Sequence, residues 1–348
     1  MLDITVVTAA GRWNGWQSIE VARSMEYGAS TFDLGLSSNA ASNAQRALRA
    51  GEPVAIFLAN ELLLTGYIDS LTPEYDANSI ALRLSGRSKV ADLIDCATTG
   101  KQFKNQTFLN VAKNLVAPFG LRVEVAEGVN ANQTLRQPAI DEGQPIFDFL
   151  EREARALAIR LMDTPEGNLL LTNARSIPAD DLVLGQNILS AAASFSVEQR
   201  FSEYTVVGSQ ARDNAWLNAQ QMNVNRGVSR DENIKRHRPT VILAEDDLDT
   251  AACQKRAQWQ RNTQYGRSQQ VVYTVAGWQQ SNSETWQPNT VSVVDDKVAG
   301  INGTQMIAET RLILDESGAR TELLVMPTET FELVVLPPIK EQGGFGVQ

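Results

Sequence analysis

The sequence has few of the side chains on which most catalytic and metal sites depend. Its 348 residues include one histidine, His237, and two cysteines, Cys96 and Cys253. Histidine is the usual proton carrier near neutral pH, and one histidine with two distant cysteines forms no Ser-His-Asp or Cys-His set and matches no zinc-ligand spacing. We therefore expect no metal, no cofactor, no enzymatic activity and two reduced thiols.

Positive charge and long apolar runs are also scarce. Lysine and arginine total 31 against 41 acids, and the net charge of −10 opposes general attraction to DNA or anionic lipid. No apolar run approaches the roughly 20 residues of a membrane-spanning helix. Asp3 also stands where a secretory signal needs basic residues. We expect no membrane insertion, and folding in the cytoplasm.

The overall composition is typical of a globular protein. Hydrophobic residues make up 43% of the chain and charged residues 21%. Because a single core rarely grows beyond about 250 to 300 residues, the length predicts two to four domains.

Residues 1–97 are predicted to form a β domain, a meander that closes into a barrel or a sandwich. Short β-rich runs recur between Gly, Asn, Asp and Pro turns. The clearest are Pro53–Leu58 and Leu62–Ile68, on either side of a turn. Ser79–Ser85 alternates apolar with small or charged residues, as a strand with one buried face does.

Residues 98–187 are predicted to form an α/β insert, because the apolar spacing becomes helical. One helix is expected from Phe108, with Thr107 as its N-cap and Gly120 beyond its end. A second is expected from Pro145. Short strands are expected at Leu121–Val125, Ile159–Leu161 and Leu169–Leu171.

A second β-barrel domain is predicted from residues 188–209 and 267–336. Three runs, Asn289–Val294, Gly303–Thr310 and Ala319–Val325, repeat the order and approximate spacing of the first block with little identity. Any β meander gives similar spacing, so a duplicated barrel and an unduplicated meander are equal alternatives. Residues 210–266 are predicted to be a polar basic segment with a helix, inserted in this domain, and residues 337–348 a flexible tail.

The polar segment is the strongest candidate for partner docking. Between Gln210 and Thr240 lie six basic residues and three acids, which oppose the charge of the rest of the chain. The segment lacks interleaved aromatics for base stacking, so an acidic protein surface is expected rather than specific DNA binding. His237 is expected to lie in a solvated basic loop. The candidate docking residues are Arg226, Arg230, Lys235, Arg236 and Arg238.

Two other patterns with possible chemistry have simpler structural explanations. Asp148, Glu151 and Glu153 are acids of the kind that cleave glycosides, but they are expected on the solvent face of the second insert helix. The glycines at 343, 344 and 346 have no following helix to make a phosphate loop.

Several stretches resemble Mu-like phage baseplate hub proteins, a family related to late-control proteins and type VI secretion spikes. Gly15–Glu26 resembles the opening of these proteins, and Thr65–Asp69 with Ser85–Ser88 resembles their first barrel. Gln144–Leu150 resembles their insert, and Trp286–Val291 precedes a strand as in their second barrel. The order is preserved over nearly the whole chain.

The resemblance implies an α+β, β-rich fold with two similar antiparallel β-barrel domains and an α/β insert between them. It implies a homotrimer in the virion tail baseplate, assembled in the host cytoplasm, that adapts the sixfold tail tube to the threefold central spike. The expected partners are the tube protein, the spike protein, other baseplate proteins and DNA that passes through without specific binding. The alternatives are a cell-wall hydrolase of the tail tip and a hub segment of a type VI secretion spike.

Overall fold

The computed structural model describes residues 4–37, 43–44, 47–135, 138–208, 225–244 and 248–331. Strands dominate these residues, and most pair antiparallel. The strands are β1 Ile4–Thr8, β2 Gly11–Trp13, β3 Ser18–Ser24, β4 Thr31–Ser37, β5 Pro53–Leu58, β6 Glu61–Tyr75, β7 Ile80–Ser88, β8 Lys101–Gln102, β9 Val123–Val125, β10 Ala139–Ile140, β11 Arg160–Asp163, β12 Leu169–Thr172, β13 Leu182–Val183, β14 Ile188–Phe195, β15 Glu203–Val207, β16 Arg226–Arg230, β17 Pro239–Leu243, β18 Gln269–Ala276, β19 Thr290–Asp296, β20 Ile301–Asp315 and β21 Gly318–Pro327. The α-helices with described bounds are α1 Ala91–Asp95, α2 Phe108–Val116, α3 Ile146–Ala156 and α4 Thr250–Arg267.

A thirteen-stranded sheet contains both β blocks. Its strands follow the order β14-β18-β21-β20-β3-β4-β7-β6-β5-β1-β2, and β19 pairs with β20 on one side and β13 on the other. The α+β, β-rich fold class is thus confirmed. Among the described residues no strand pair closes either block into a barrel; the two blocks are parts of one continuous sheet.

The two blocks have the same internal strand order. The first contains the neighbours β3-β4-β7-β6-β5-β1, and the second contains β14-β18-β21-β20-β19-β13. If the six strands of each block are numbered in chain order, their order across the sheet is 2-3-6-5-4-1 in both blocks. One pairing differs in sense, since β1 lies antiparallel to β5 and β13 lies parallel to β19. We call these six-stranded blocks module 1 and module 2.

Each module buries its own hydrophobic cluster. Alternate residues of its strands point to one face, as the period of a strand requires. Module 1 packs Val54, Ile68, Leu84 and others against each other, and module 2 packs Tyr273, Ile307 and others. Trp16 and Trp278 lie in the first cluster and Trp286 in the second.

The predicted helices and short strands of the insert are confirmed. The Thr107 side chain accepts a hydrogen bond from the Asn110 N–H and caps α2, and Gly120 adopts a left-handed conformation after the following turn. Helix α3 begins directly after Pro145 and buries Phe149 on its inner face. Strand β12 pairs antiparallel with β11 and parallel with β9.

By contacts the chain divides into two compact units. Unit 1 comprises residues 1–155, 159–193 and 271–326; unit 2 comprises residues 156–158, 194–270 and 327–348. Unit 1 holds module 1, most of module 2 and most of the insert. The domain boundaries given above remain a prediction.

The polar segment contributes two strands and a helix to the structure. Its described part contains β16 and β17, which pair on either side of β15 in the order β16-β15-β17. The helix predicted in this segment is α4, which starts at Thr250 because Asp249 is its N-cap and accepts the Ala252 N–H at 2.7 Å.

Candidate functional site

The three-stranded sheet of unit 2 has one covered and one open face. Registers of β15 with β16 and β17 place Gly227, Val206 and Ile242 in one row, and Val228, Thr205 and Val241 in the next. Val206 packs in a buried cluster with Cys253 and other residues of α4. The opposite face is open to solvent.

Gly227 sets how closely α4 approaches the sheet. A Cβ at this position would collide with the backbone of Cys253 and Gln254. The Gln254 side chain then bonds both main-chain groups of Val228, accepting its N–H at 2.9 Å and donating to its carbonyl at 2.8 Å. Helix α4 is therefore fixed to β16, and the other face of that strand is available for contact.

The open face presents two of the five candidate docking residues. Arg226 and Arg230 are exposed at the two ends of β16, and Arg230 pairs with Glu203 at 3.0 Å. Val228, 39% exposed, lies between them on β16, and Val241 at 64% and Leu243 at 55% lie beside them on β17. This apolar strip with cations at its ends, which we call the basic sheet face, is the kind of surface that binds another protein.

The other three candidates follow β16 in the chain. Lys235 and Arg236 are exposed and, with Arg230 and His237, line a shallow groove of about 330 Å³. The acids Glu203 and Glu232 line the same groove. Arg238 instead donates to the Glu198 carbonyl and lies over the Phe201 ring, 5.1 Å from its centroid. Four of the five candidates thus lie on the open surface, and Arg238 is committed to internal contacts.

A buried ion pair supports the basic loop, and sequence reasoning missed it. Arg200 donates two hydrogen bonds to Asp231, each 2.9 Å, with the side chains only 6% and 4% exposed. The Arg200 guanidinium also lies 5.0 Å from the centroid of the Tyr265 ring. Asp231 accepts the Asn233 N–H at 3.1 Å, so it holds the start of the loop. No local pattern links residues 31 positions apart, so the sequence carries no signal for this pair.

Unit 1 carries a second candidate surface, the polar face of the large sheet. A broad groove of about 1280 Å³ runs over β3, β4, β6, β7, β20 and β21. Six acids and three arginines line it. These are Glu20, Asp33, Glu74, Asp315, Glu316, Glu322, Arg83, Arg311 and Arg320. We call this surface the acidic groove.

Each arginine of the acidic groove has acidic partners. Arg83 contacts Asp33 at 2.8 Å, and Arg320 contacts Asp315 at 2.7 Å. Arg311 contacts Glu309 at 3.0 Å and Glu20 at 3.4 Å. The positive charges are thus compensated, and an excess of negative charge remains in the groove.

The pKa shifts follow from these pairs. The hydrogen bond from Arg320 lowers the pKa of Asp315 to about 2, with help from the Ser317 N–H. The hydrogen bond to Asp33 raises the pKa of Arg83. Burial lowers the pKa of Arg311, but the charges of Glu20 and Glu309 raise it by more. The three arginines and Asp315 are therefore charged at neutral pH.

The remaining sequence candidates do not line either of these two grooves. Asp148 and Glu151 are exposed on α3, as predicted, and Glu153 pairs with Arg152 at 3.1 Å. Cys253 is buried, Cys96 is half-buried, and the two do not form a disulfide. The glycines at 343, 344 and 346 fall outside the described residues.

Among the described residues, no group of three or more His, Cys, Asp or Glu side chains is arranged to hold a metal ion. Over the same part of the chain, no helix has both the length and the apolar character needed to cross a membrane.

Three family models match successive parts of the chain. Residues 3–88 match the N-terminal domain of Mu phage baseplate assembly protein GpP-like. Residues 90–173 match the second domain of baseplate hub protein gp44-like. Residues 249–334 match the fourth domain of Mu phage baseplate assembly protein GpP.

Individual relatives agree with these matches. Baseplate hub protein gp44 of Escherichia phage Mu is 29% identical over 354 residues, which cover 99% of this chain and 93% of that protein. The 43 kDa tail protein of prophage MuSo2 from Shewanella oneidensis has a TM-score of 0.83 and 28% identity, over 95% of this chain and all of that one. A tail protein from Neisseria meningitidis MC58, 23% identical, shares the fold with a TM-score of 0.80 over 94% of this chain and 97% of that one.

The fold, its repeated modules and the successive domain matches define a phage tail protein of the baseplate. Within that class, the chain is similar over nearly its whole length to Mu-like phage baseplate hub proteins, and the resemblance seen in the sequence is confirmed.

Proposed function

We propose that this chain is a non-enzymatic structural hub that works as a homotrimer at the end of a contractile tail tube. It adapts the sixfold tube to the threefold central spike and surrounds a passage for DNA. It is assembled in the host cytoplasm and stays in the virion baseplate. The observation that carries this proposal is the shared strand order of modules 1 and 2.

The symmetry argument depends on that repeat. A threefold ring of identical chains presents three equivalent surfaces, which cannot match a sixfold tube. When each chain carries two modules of the same topology, three chains present six near-equivalent sheet surfaces. The insert and unit 2 occur once per chain, so they keep the threefold symmetry that a spike requires.

The acidic groove supports the proposed DNA passage. Its arginines are paired with acids, so they are poorly placed to hold phosphates, and its excess negative charge repels them. A wall of this kind lets DNA pass without sticking. We place the groove on the inner side of the ring.

The basic sheet face supports docking to another baseplate component. Arg226 and Arg230 flank an exposed apolar strip, and Lys235 and Arg236 extend the positive charge into the neighbouring groove. An acidic protein surface complements this arrangement. The tube protein and the spike protein are the proposed partners.

The decisive experiment is the native mass of the purified chain, combined with low-resolution images. We expect a particle of three chains, about 114 kDa from the chain mass of 38.1 kDa, with a central hole. A monomer at all concentrations, or a compact trimer without a hole, would overturn the proposal. Turnover of purified peptidoglycan would favour the tail-tip hydrolase instead.

A further inference from the structure

The two modules differ in what covers the end of their longest strand. In module 2, β20 pairs with β19 up to Ile307 and then with β3 over Glu309–Leu314. That pairing joins module 2 to module 1 in the same chain. Most residues of the covered stretch are buried, including Thr310 at 1% and Leu312 at 3% exposed.

Strand β6 is the counterpart of β20, and its matching stretch is uncovered. It pairs with β5 only up to Tyr67, and no strand of the described chain pairs with the same edge over Ser70–Tyr75. Ser70, Thr72, Glu74 and Tyr75 are exposed, with Tyr75 at 75%.

The two strands can be aligned by the direction of their main-chain groups. The main-chain groups of Ile68 hydrogen-bond Gly51 and Glu52, so they point to the edge of β6 that pairs with β5. A bulge follows between Ile68 and Ser70. The Asp76 N–H donates to the Ser79 carbonyl, so it points to the opposite edge, which pairs with β7. Successive strand residues alternate in direction, so Leu71, Pro73 and Tyr75 direct their main-chain groups to the open edge.

In β20, the Ala308 carbonyl accepts the Met25 N–H. By the same alternation Thr310, Leu312 and Leu314 direct their groups to β3. Residues 70–75 thus correspond one for one to residues 309–314, and Thr72 corresponds to Arg311.

The partner that this edge lacks has its own counterpart in the chain. Strand β14 occupies in module 2 the place that β3 occupies in module 1. One edge of β14 pairs with β18 and the other has no described partner strand. Residues 189–195 are exposed, including Leu189 at 64% and Phe195 at 52%.

We propose that β6 of one copy pairs antiparallel with β14 of the next copy, as β20 pairs with β3 within each chain. Each chain has one edge of each kind, so the contact is head-to-tail and closes into a ring if the rotation permits. The antiparallel sense brings Tyr75 next to Leu189, which covers two exposed apolar side chains. The inference rests on the proposed trimer and specifies its interface.

Pro73 fits this edge as a restraint on pairing. Pro73 has no N–H, so the open edge of β6 has one hydrogen-bond donor fewer, and a strand that pairs there forms one hydrogen bond fewer. Proline on an open edge also opposes unspecific strand addition. The carbonyl of Pro73 and the groups of Leu71 and Tyr75 remain for the specific partner.

Disulfide cross-linking tests the pairing. Arg311 lies opposite Ala22 in the internal junction, so Thr72→Cys needs a partner at the matching position of β14. The Ser196 N–H donates to the Ser268 carbonyl, so it points to the β18 side of β14. By alternation, the main-chain groups of Ser190, Ala192 and Ser194 also point to that side, away from the open edge. Residues in this orientation form the non-hydrogen-bonded pairs with a facing strand, in which the Cβ atoms are close enough for a disulfide. Three double variants therefore combine Thr72→Cys with Ser190→Cys, Ala192→Cys or Ser194→Cys, all with Cys96→Ser.

We expect that, for at least one of these pairs, oxidation converts more than half of the protein into cross-linked dimers and trimers that reductant separates. Thr72→Cys with Val298→Cys is the matched control, because Val298 is 88% exposed and lies in the β19–β20 turn. It should give below a tenth of that yield. Unchanged thermal melting confirms that the variants fold.

The outcomes separate the interface from the trimer. A native trimer in which none of the three pairs cross-links overturns the strand pairing and leaves the trimer standing. A chain that stays monomeric overturns both. Amide hydrogen exchange of the unsubstituted chain gives an independent readout. The N–H groups of Leu189, Ala191 and Ala193 point to the open edge, so they should exchange at least 100-fold more slowly in the trimer than in dilute monomer, and equal rates overturn the pairing.

Discussion

At the residue scale, the most consequential contact is the one between Arg200 and Asp231. Two opposite charges leave water together, and each satisfies the other with two hydrogen bonds. A pair of this kind contributes little net stability compared with apolar replacements, but removal of one partner leaves an uncompensated buried charge. Its role is to define where the basic loop begins.

Asp231→Ala should therefore destabilise unit 2 by about 3–5 kcal/mol, because Arg200 stays buried without its counter-ion. Urea unfolding, followed by amide exchange in β15 and β16, measures this. The double variant Arg200→Met/Asp231→Leu should lie within about 1 kcal/mol of the parent protein.

Glu203→Ala is the matched control, since it breaks the exposed pair with Arg230 and should cost less than about 1 kcal/mol. Equal effects of Glu203→Ala and Asp231→Ala would contradict the assigned role of the buried pair.

At the scale of elements, the sequence predicted best where signals are local. Helix α2 has its N-cap and terminating glycine within a few residues of its ends, and α3 follows a proline. The sequence analysis assigned no strand to the polar segment, because β16 and β17 are polar or exposed on one face and depend on α4 for burial of the other. A strand that is half covered by a distant helix does not show the alternation of an independent sheet.

The basic sheet face can be tested as an element. Neutralising its two arginines and the neighbouring Arg236 of the adjacent groove, with Arg226→Gln, Arg230→Gln and Arg236→Gln, should weaken binding to the tube or spike protein at least 10-fold while the subunit stays folded and trimeric. Binding is measured by co-sedimentation at physiological salt, and folding by circular dichroism.

Lys104→Gln, Lys113→Gln and Arg122→Gln form the matched control, because these exposed cations of the insert give the same change in net charge. If the two triple variants bind equally, the basic sheet face is not the docking surface.

At the scale of the whole molecule, charge is distributed unevenly over a chain with a net charge of −10. The acidic groove belongs to the sheet that both modules share, and the basic sheet face belongs to unit 2. Net charge alone therefore does not predict which surface faces DNA and which faces a protein. The position of the acids on the polar side of the sheet is what indicates the surface that faces DNA.

Reversal of charge inside the proposed passage should convert it into a DNA-binding surface. Glu74→Lys with Glu316→Lys adds six lysines per trimer along the groove, and we expect double-stranded DNA to bind at least 10-fold more tightly than to the control at 50 mM salt, with strong salt dependence. Electrophoretic mobility shifts measure the affinity.

The control for this test reverses two exposed acids of the insert, Glu127→Lys and Glu142→Lys, so that net charge is equal. Equal DNA binding by both double variants would place the groove away from the passage.

The sequence by itself determined the local elements, and its motifs identified the resemblance to baseplate hub proteins. Helix caps, turns and the alternation of apolar residues in strands each depend on a few neighbouring residues, so they can be recognised from the sequence alone. Only the tertiary structure decided that the modules share one sheet through β20 and β3, that Arg200 meets Asp231, and that the edges of β6 and β14 stay open. These features depend on which of several similar strands become neighbours. Strands pair through main-chain hydrogen bonds, which every residue except proline can form in the same way, so the sequence does not show which strands pair.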